Sequence, residues 1–218
     1  MIYPLVALDA AYGATAACII DASGKIVSAQ STETLQHSQT ILPLLSQLMQ
    51  QAELTWQAVN AFAVGQGPGS FTGLRIAAST LAGLNASMNR PVLPVSSLAI
   101  TAGQSQCDDI WVVEDARAGE VFVGHYVNGQ AVQADACMLA TELMLPVAAR
   151  IASHAADSVL LKLLDKEFER MPLALERDLA LSQLVQRELL QCDTYSLPQQ
   201  VYPLYLQLSQ AERMAKHD

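Results

Sequence analysis

Charged side chains are scarce in this sequence, and basic ones are the scarcer kind. Asp, Glu, Lys and Arg make up 15% of the 218 residues, and 12 basic residues stand against 21 acidic ones, for a net charge of -9. This acidic balance repels the phosphate backbone of DNA or RNA, and the chain has no basic run and no RNP-type aromatic cluster. An independent nucleic-acid-binding module is therefore the least favoured class of function.

The sequence also lacks the usual marks of a metal centre, a disulfide framework or a membrane segment. Its 4 cysteines never form a C-x-x-C pair, which suits a reducing cytoplasm. His37 has no second histidine one helical turn away, because Glu33 and Ile41 occupy those positions. The apolar run at residues 2–8 meets Asp9 and has no basic segment before it, so it predicts a buried strand. We expect a cytoplasmic protein with no metal of its own and no membrane contact.

Apolar residues are abundant instead, and they follow the periods of strands and helices. Hydrophobic residues make up 51% of the chain and the mean hydropathy is +0.24, which predicts an apolar surface left for a partner. Three strands followed by alternating helices and strands predict an α/β fold with a mixed sheet covered by helices. The expected strands are 2–8, 14–20, 26–31, one before the Gly-rich loop and 90–95, and the expected helices are 38–51, 73–88, one after Ser97, 140–150 and 178–191.

Part of the sequence repeats itself. "LDAAYGATAACII" at 8–20 returns loosely as "EDARAGEVFVGHY" at 114–126, and both place D-A-x-x-G between two apolar strands. The repeat predicts an internally duplicated fold, with a first domain at 1–103 and a smaller second domain at 104–218 whose last helix packs back on the first. Two unrelated hairpins are the alternative.

The Gly-rich loop "GQGPGSFTGLRIA" at 65–77 fits none of the common catalytic loops. A P-loop needs Lys where Leu74 follows Gly73, and a dinucleotide loop needs a later acid, whereas no Asp or Glu lies between Glu53 and Asp108. No catalytic residue is therefore predicted. We expect the glycines to allow close backbone approach and Ser70 or Thr72 to cap the helix that follows. The alternative is that the start of this helix binds an anion. The loop residues of interest are Gly67, Pro68, Gly69, Ser70, Phe71, Thr72, Gly73 and Arg75.

Two acids are candidates for a degenerate nucleotide site. Asp9 ends a buried strand before a turn, where nucleotide-binding duplicated folds hold a phosphate-bound metal, and Asp115 is its counterpart in the repeat. The loop after Asp9 reads Ala10, Ala11 and Tyr12, without the usual short hydroxyl side chain. A turn-capping Asp is an equally good interpretation.

Two predicted helices lack charge over most of their length. No charged residue lies between Glu33 and Glu53 or between Arg75 and Arg90. A wide apolar face flanked by amides and small residues predicts a helix covered on two sides, by its own sheet and by another subunit or the second domain. The predicted partner-interface residues are Leu42, Leu45, Leu48, Met49, Leu74, Ala77, Ala78, Leu81 and Ala82.

Four segments together resemble the TsaB (YeaZ) family: "QHSQTILPLL" at 36–45, "GQGPGSFTGLRIA" at 65–77, "DARAGEVF" at 115–122 and "PLYLQ" at 203–207. The chain departs from the family pattern at its first loop, usually D-T-[AS]-T, and at Gln207, which is usually Arg.

The resemblance implies an actin-like, ribonuclease-H-like fold of two domains. It also implies that the chain is a non-catalytic subunit of the machinery that makes N6-threonylcarbamoyladenosine (t6A) beside the anticodon of ANN-decoding tRNAs. It implies pairing with the catalytic paralogue TsaD through the two N-terminal helices and recruitment of the ATPase TsaE. ATP, ADP and metal are expected on those partners, and tRNA only through the complex. Alone, the chain is expected to form a homodimer through the same faces. The rival interpretation is an enzyme acting by itself, ATP-binding or like an M22 peptidase.

Overall fold

The chain folds into two mixed β-sheets, each with helices packed against it. A computed structural model describes residues 2–31, 37–164, 167–194 and 196–206. The strands of the first sheet are β1 (Leu5–Asp9), β2 (Ala16–Ile20), β3 (Ile26–Gln30), β4 (Ala61–Gly67) and β5 (Val92–Ser96), and its nearest helices are α1 (His37–Gln51), α2 (Phe71–Asn85) and α3 (Ser97–Ser105). The second half contains β6 (Asp109–Arg117), β7 (Glu120–Val127), β8 (Gln130–Ala131), β9 (Ala136–Leu139), β10 (Ala149–Ala152), α4 (Asp157–Leu164), β11 (Phe168–Arg170) and α5 (Arg177–Gln191).

The first sheet is covered by helices on both faces. Its strand order is β3-β2-β1-β4-β5, with β1 antiparallel to β2 and parallel to β4. Alternate side chains of β1 point to opposite faces: Val6 and Leu8 pack with α1 and α2, whereas Leu5 and Ala7 pack with α3 and α5. Every residue of β1 is therefore buried, which explains why the strand is apolar up to Asp9, its last residue.

The second sheet repeats the connectivity of the first. In the order β8-β7-β6-β10-β11, two antiparallel pairs are followed by two parallel pairs, as in β3-β2-β1-β4-β5. The elements are shorter, with two residues in β8 and three in β11. The predicted α/β class with two duplicated mixed sheets, the second reduced, is confirmed, and the alternative of two unrelated hairpins is not.

Two helices tie the halves together. Helix α3 contributes Ile100 to the core of the first sheet and Leu98 to the core of the second. Helix α5 follows the second sheet in the chain, yet its Leu181 and Val185 pack against the first sheet. The domain limits at 103 and 104 stay a prediction, because the cores on either side share these helices.

One expected helix is wrong. Residues 140–150 form a short 3-10 turn at Ala140–Glu142, then a loop and strand β10. Pro146 lacks a backbone N–H and Ala148 has a φ of 55°, so neither residue continues a helix after that turn. The helix expected at 178–191 is confirmed as α5, and the one at 73–88 begins earlier, at Phe71.

The Gly-rich loop docks α2 against the turn that follows β1. The Ser70 side chain accepts a hydrogen bond from Gly73 N at 3.2 Å and so caps α2, as predicted. Ser70 N donates to the carbonyl oxygen of Ala11 at 3.0 Å. A Cβ placed on Gly73 would lie 2.0 Å from the carbonyl oxygen of Ala10, so glycine is required there by close approach. The backbone of the Gly-rich loop therefore packs directly against the backbone of the turn that follows β1.

We expect Gly73→Ala to destabilise the protein, because the added methyl group meets a backbone oxygen that has no free rotation. The free energy of unfolding should fall by about 1–3 kcal/mol or more, the usual cost of overpacking. Gly83→Ala is the matched control: this glycine lies in the same helix, a Cβ placed on it would have nothing within 4 Å, and Ala should stabilise the helix by up to about 1 kcal/mol. Urea unfolding measures both, and equal effects would contradict the close-approach explanation.

Candidate functional site

A buried ion pair lies at the end of β1, where the sequence predicts a degenerate nucleotide site. Arg177 Nε, at the start of α5, donates to Asp9 Oδ2 at 2.8 Å, and both side chains are almost completely buried. Asp9 Oδ2 also accepts from Ala11 N at 3.3 Å, and Asp9 Oδ1 accepts from Ser97 Oγ at 2.7 Å. Both carboxylate oxygens are therefore occupied by groups of the chain itself.

The rest of the Arg177 guanidinium is equally well satisfied. Its Nη1 donates to Thr101 Oγ1 and to Gln104 Oε1, both at 3.0 Å, and its Nη2 donates to the carbonyl oxygen of Ser97 at 3.1 Å. A Cβ on Gly65 would lie 1.8 Å from Asp9 Oδ1, so that glycine makes room for the carboxylate. The Asp9 carboxylate is thus paired with a cation of the chain itself.

An aromatic stack lies beside this pair. The Tyr12 ring lies parallel to the His154 ring, with centroids 5.5 Å apart, and the Arg177 guanidinium lies 5.6 Å from its centroid. Burial raises the pKa of the Tyr12 phenol well above its ordinary value, and the Glu114 carboxylate adds to this effect. The Tyr12 hydroxyl is buried and forms no hydrogen bond with any described residue. Tyr12 therefore fills space between the two sheets with its ring.

The second repeat contributes its own buried acid, which the sequence analysis missed. Glu114 accepts hydrogen bonds from His154 N at 3.0 Å and from Ser153 Oγ at 3.0 Å, and its Oε1 lies 2.8 Å from His154 Nδ1. Glu114 directly precedes Asp115 in β6. Its partners lie about forty residues away in the sequence, so no local motif predicts the contact.

Asp115 does not join Asp9. It lines an open cleft of about 470 Å³ with His37, Ser70 and Arg117, and its Oδ1 accepts from Arg117 N at 2.7 Å, as a turn-capping Asp does. Burial lowers the pKa of His37, whose Nδ1 lies 2.7 Å from Thr15 Oγ1. In the portions of the chain that are described, no three His, Cys, Asp or Glu side chains are grouped so that they could hold a metal ion.

The predicted partner interface needs correction. Six of its nine residues lie in the core of the chain and do not face outward, because they repeat at three- and four-residue intervals on the side of each helix that meets the first sheet. These buried residues are Leu45, Leu48, Met49, Leu74, Ala77 and Leu81.

The outward side of α1 and α2 is exposed and almost free of charge. We name the exposed residues of these two helices the helix-pair face. Leu42 is 51% exposed and Ala82 is exposed, whereas Ala78 is partly buried. Helix α1 contains no Asp, Glu, Lys or Arg, and Arg75 is the one such residue in α2. The other exposed members are Ser38, Gln39, Pro43, Ser46, Gln47, Gln50, Gln51, Phe71, Thr72, Ser79 and Gly83.

The segment 196–206, which we name the C-terminal strap, runs beside α2. Its backbone pairs with the first sheet: Val92 N donates to the carbonyl oxygen of Pro198 at 2.7 Å, and Leu204 N donates to that of Gln66 at 2.6 Å. The Tyr205 ring then packs on Phe71, with centroids 5.0 Å apart. Gln207, noted as a departure from the family pattern, lies outside the described residues.

None of the helices among the described residues is both long enough and apolar enough to span a membrane.

Comparisons with known proteins identify the relatives of this chain. A family model described as "TsaD: tRNA N6-adenosine threonylcarbamoyltransferase" matches residues 29–212. The "tRNA threonylcarbamoyladenosine biosynthesis protein TsaB" of Haemophilus influenzae is 34% identical over 96 residues, which cover 42% of this chain and 41% of that protein. The protein of the same description from Escherichia coli is 34% identical over 95 residues, with the same coverage of 42% and 41%. The chain thus spans about two fifths of the length of these curated relatives.

A solved structure matches over nearly the whole chain. It is described as "YeaZ from Pseudomonas aeruginosa", is 26% identical with a TM-score of 0.74, and covers 93% of this chain and 99% of the other. A second structure, described as an uncharacterized protein with similarity to peptidase YEAZ from Pseudomonas aeruginosa, has a TM-score of 0.79 at 26% identity and the same coverage of 93% and 99%.

We expect Arg177→Met to destabilise the fold strongly, because it leaves the Asp9 carboxylate buried without a cation. The free energy of unfolding should fall by about 3–5 kcal/mol. The control is Arg117→Met, which removes an arginine whose side chain is 85% exposed and should change stability by no more than about 1 kcal/mol. Urea unfolding followed by circular dichroism tests the pair of variants. An Arg177→Met protein as stable as the Arg117→Met control would mean that the buried pair does not hold the two halves together.

Proposed function

Because the chain belongs to the family of tRNA N6-adenosine threonylcarbamoyltransferases and, within it, to the TsaB (YeaZ) proteins, we propose that it takes part in t6A biosynthesis as a non-catalytic subunit. In this proposal the chain holds the catalytic paralogue TsaD in a working dimer. TsaE joins the pair, ATP and metal are bound by these partners, and tRNA is reached only through the complex.

The main observation in support of the non-catalytic role is the buried ion pair between Asp9 and Arg177. A metal-dependent nucleotide site needs a carboxylate with a free lone pair facing a polar cleft. Here each Asp9 oxygen accepts from protein donors, and the guanidinium adds the positive charge that a metal would bring. The Tyr12 ring fills the adjoining space. These contacts support a chain that keeps the shape of a nucleotide-binding fold without its chemistry.

The helix-pair face supports a role in assembly. Solvent-facing helices usually carry Glu and Lys on their outer side, whereas this face is formed by amide, hydroxyl and small side chains around Leu42 and Ala82. Depletion of charge at the centre is the compositional mark of protein interfaces. Small residues such as Ala82 and Gly83 allow a partner helix to approach closely. In the absence of TsaD, the same face supports pairing of two copies of the chain.

We expect Leu42→Arg to disrupt pairing with TsaD, because the arginine places a charge at the apolar centre of the helix-pair face. Affinity should fall by at least about tenfold, equivalent to about 1.4 kcal/mol, and t6A formation by the reconstituted enzymes should fall with it. The matched control is Leu161→Arg in α4, because that leucine is 57% exposed, close to the 51% of Leu42. Isothermal titration and t6A nucleoside analysis measure the two effects.

Unchanged melting temperatures of both variants would establish that the leucines lie on the surface. If Leu42→Arg and Leu161→Arg support t6A formation equally well, the helix-pair face is not the docking surface. If the unaltered chain neither pairs with TsaD nor promotes t6A formation, the proposed function is wrong.

We expect no tight, magnesium-dependent binding of ATP by the chain alone, because the Asp9 carboxylate is already paired with Arg177. Titration with ATP and Mg²⁺ in a calorimeter tests this directly, and a TsaD sample titrated in the same way serves as the positive control. Saturable micromolar binding that disappears when Mg²⁺ is removed would favour the rival interpretation, an enzyme that acts by itself.

A further inference from the structure

Arg75 is the one charged residue on the helix-pair face. Neither α1 nor the remainder of α2 contains Asp, Glu, Lys or Arg. Arg75 is exposed one turn after the start of α2. A single cation is conspicuous on a surface from which charge is otherwise excluded, in a chain with a net charge of -9.

The guanidinium of Arg75 lies over one aromatic ring, and a second aromatic ring packs against the first. Its central carbon lies 5.2 Å from the centroid of the Phe71 ring, and the Phe71 ring packs at 5.0 Å against that of Tyr205. The rings of Phe71 and Tyr205 remain half exposed. We name these two residues the aromatic platform. Arginine stacked on an aromatic face loses less freedom when it binds, since its planar group is already oriented.

The C-terminal strap builds this platform. The hydrogen bond from Leu204 N to Gln66 O fixes the strap one residue before Tyr205, and the partly buried Val201 packs against the core that contains Ala77 and Leu81 of α2. Tyr205 thus reaches Phe71 from a part of the chain far away in sequence. The platform is formed only when the strap is bound.

Arg75 is not among the described residues that form ion pairs within the chain. Its planar guanidinium fits a planar, bidentate acceptor, and a carboxylate is the one that a protein partner offers. Arginine and aromatic side chains together are also the composition of residues that contribute most to binding at protein interfaces. The partner surface that fits here is apolar and uncharged apart from an acidic side chain opposite Arg75.

The helix-pair face of a second copy does not provide that acid. If two helix-pair faces meet, α1 and α2 of each copy bring no Asp or Glu, and two arginines enter the interface without a carboxylate from either face. Burying unpaired charge weakens such a dimer. A paralogous subunit with an acid at this place gains the charge-assisted hydrogen bond instead.

We propose that Arg75, oriented by the platform of Phe71 and Tyr205, receives a carboxylate of the paralogous partner and so selects that partner over a second copy of the chain. The inference rests on the proposed function, because it concerns the same face. In this inference Arg75 determines which partner binds, and the C-terminal strap supports Arg75 by placing Tyr205 against Phe71.

The test compares two affinities for each variant of the full-length chain. Calorimetry measures the dissociation constant with TsaD, and sedimentation velocity measures that of the homodimer. Arg75→Gln should weaken the TsaD complex by about tenfold or more, as loss of one partner of a buried charged pair does. It should leave the homodimer unchanged or tighter.

Arg75→Lys should recover only part of the TsaD affinity, because lysine keeps the charge and loses the planar fork. Tyr205→Leu should weaken the TsaD complex less than Arg75→Gln does. Its matched control is Tyr202→Leu, which removes an exposed tyrosine of the same strap that lies outside the aromatic platform and should have no effect. Substituting single acidic residues of TsaD in double-mutant cycles with Arg75→Gln identifies the carboxylate, because only that pair is non-additive.

The outcomes separate the inference from the proposed function. If TsaD does not bind the unaltered chain, the proposed function fails. If it binds and Arg75→Gln binds equally well, the proposed function stands and the inference is overturned. Equal weakening of the homodimer and the TsaD complex would overturn partner selection. If the isolated chain binds tRNA and the Arg75→Gln variant does not, Arg75 contacts a phosphate of the RNA, and the inference is overturned.

Discussion

The ion pair between Asp9 and Arg177 is the constraint around which the two halves of this molecule are arranged. Asp9 ends β1 of the first sheet, and Arg177 begins the helix that follows the second sheet. Three residues of α3, the helix shared by both cores, accept further guanidinium hydrogens: Thr101 and Gln104 accept from Nη1, and the Ser97 carbonyl oxygen accepts from Nη2. A buried charge of this kind tolerates few other positions of its partners, because each lost hydrogen bond leaves an uncompensated group. The pair therefore sets where α5 lies.

The arrangement around β1 extends from that pair to the surface. The turn after Asp9 places the carbonyl oxygens of Ala10 and Ala11 against the Gly-rich loop, which accommodates them only because Gly73 has no side chain there and Ser70 N donates to Ala11. This contact sets the start of α2. The apolar side of α2 then packs with α1 over the first sheet and leaves the helix-pair face outward. A buried charge pair and the exposed helix-pair face are thus connected by backbone contacts.

The two repeats use the same topology with different chemistry. In the first, an acid at the end of the central strand is neutralised by arginine; in the second, Glu114 is satisfied by Ser153 and His154. The Tyr12 ring stacks on His154 of one buried cluster and lies near the Arg177 guanidinium of the other, so it is in contact with both. The buried acids of both repeats are thus paired within the chain, whereas the outer sides of α1 and α2 remain exposed. The proposed role, a scaffold that pairs with a catalytic relative, agrees with this arrangement of paired buried acids and exposed helices.

Local sequence determined the helices and strands of the first half, helix α5, the duplication and the cap at Ser70, because periodicity, glycine and hydroxyl side chains act over a few residues. It also indicated that α1 lacks charged residues and that α2 has none after Arg75. It wrongly predicted a helix at 140–150. The tertiary structure alone decided which side of those helices faces outward, so Leu45 and Leu48 proved to be core and Leu42 surface. It alone brought Arg177 to Asp9 and Tyr205 to Phe71, across separations of 168 residues for the first pair and more than a hundred for the second. No local pattern specifies such contacts, because they depend on how sheets and helices pack in three dimensions.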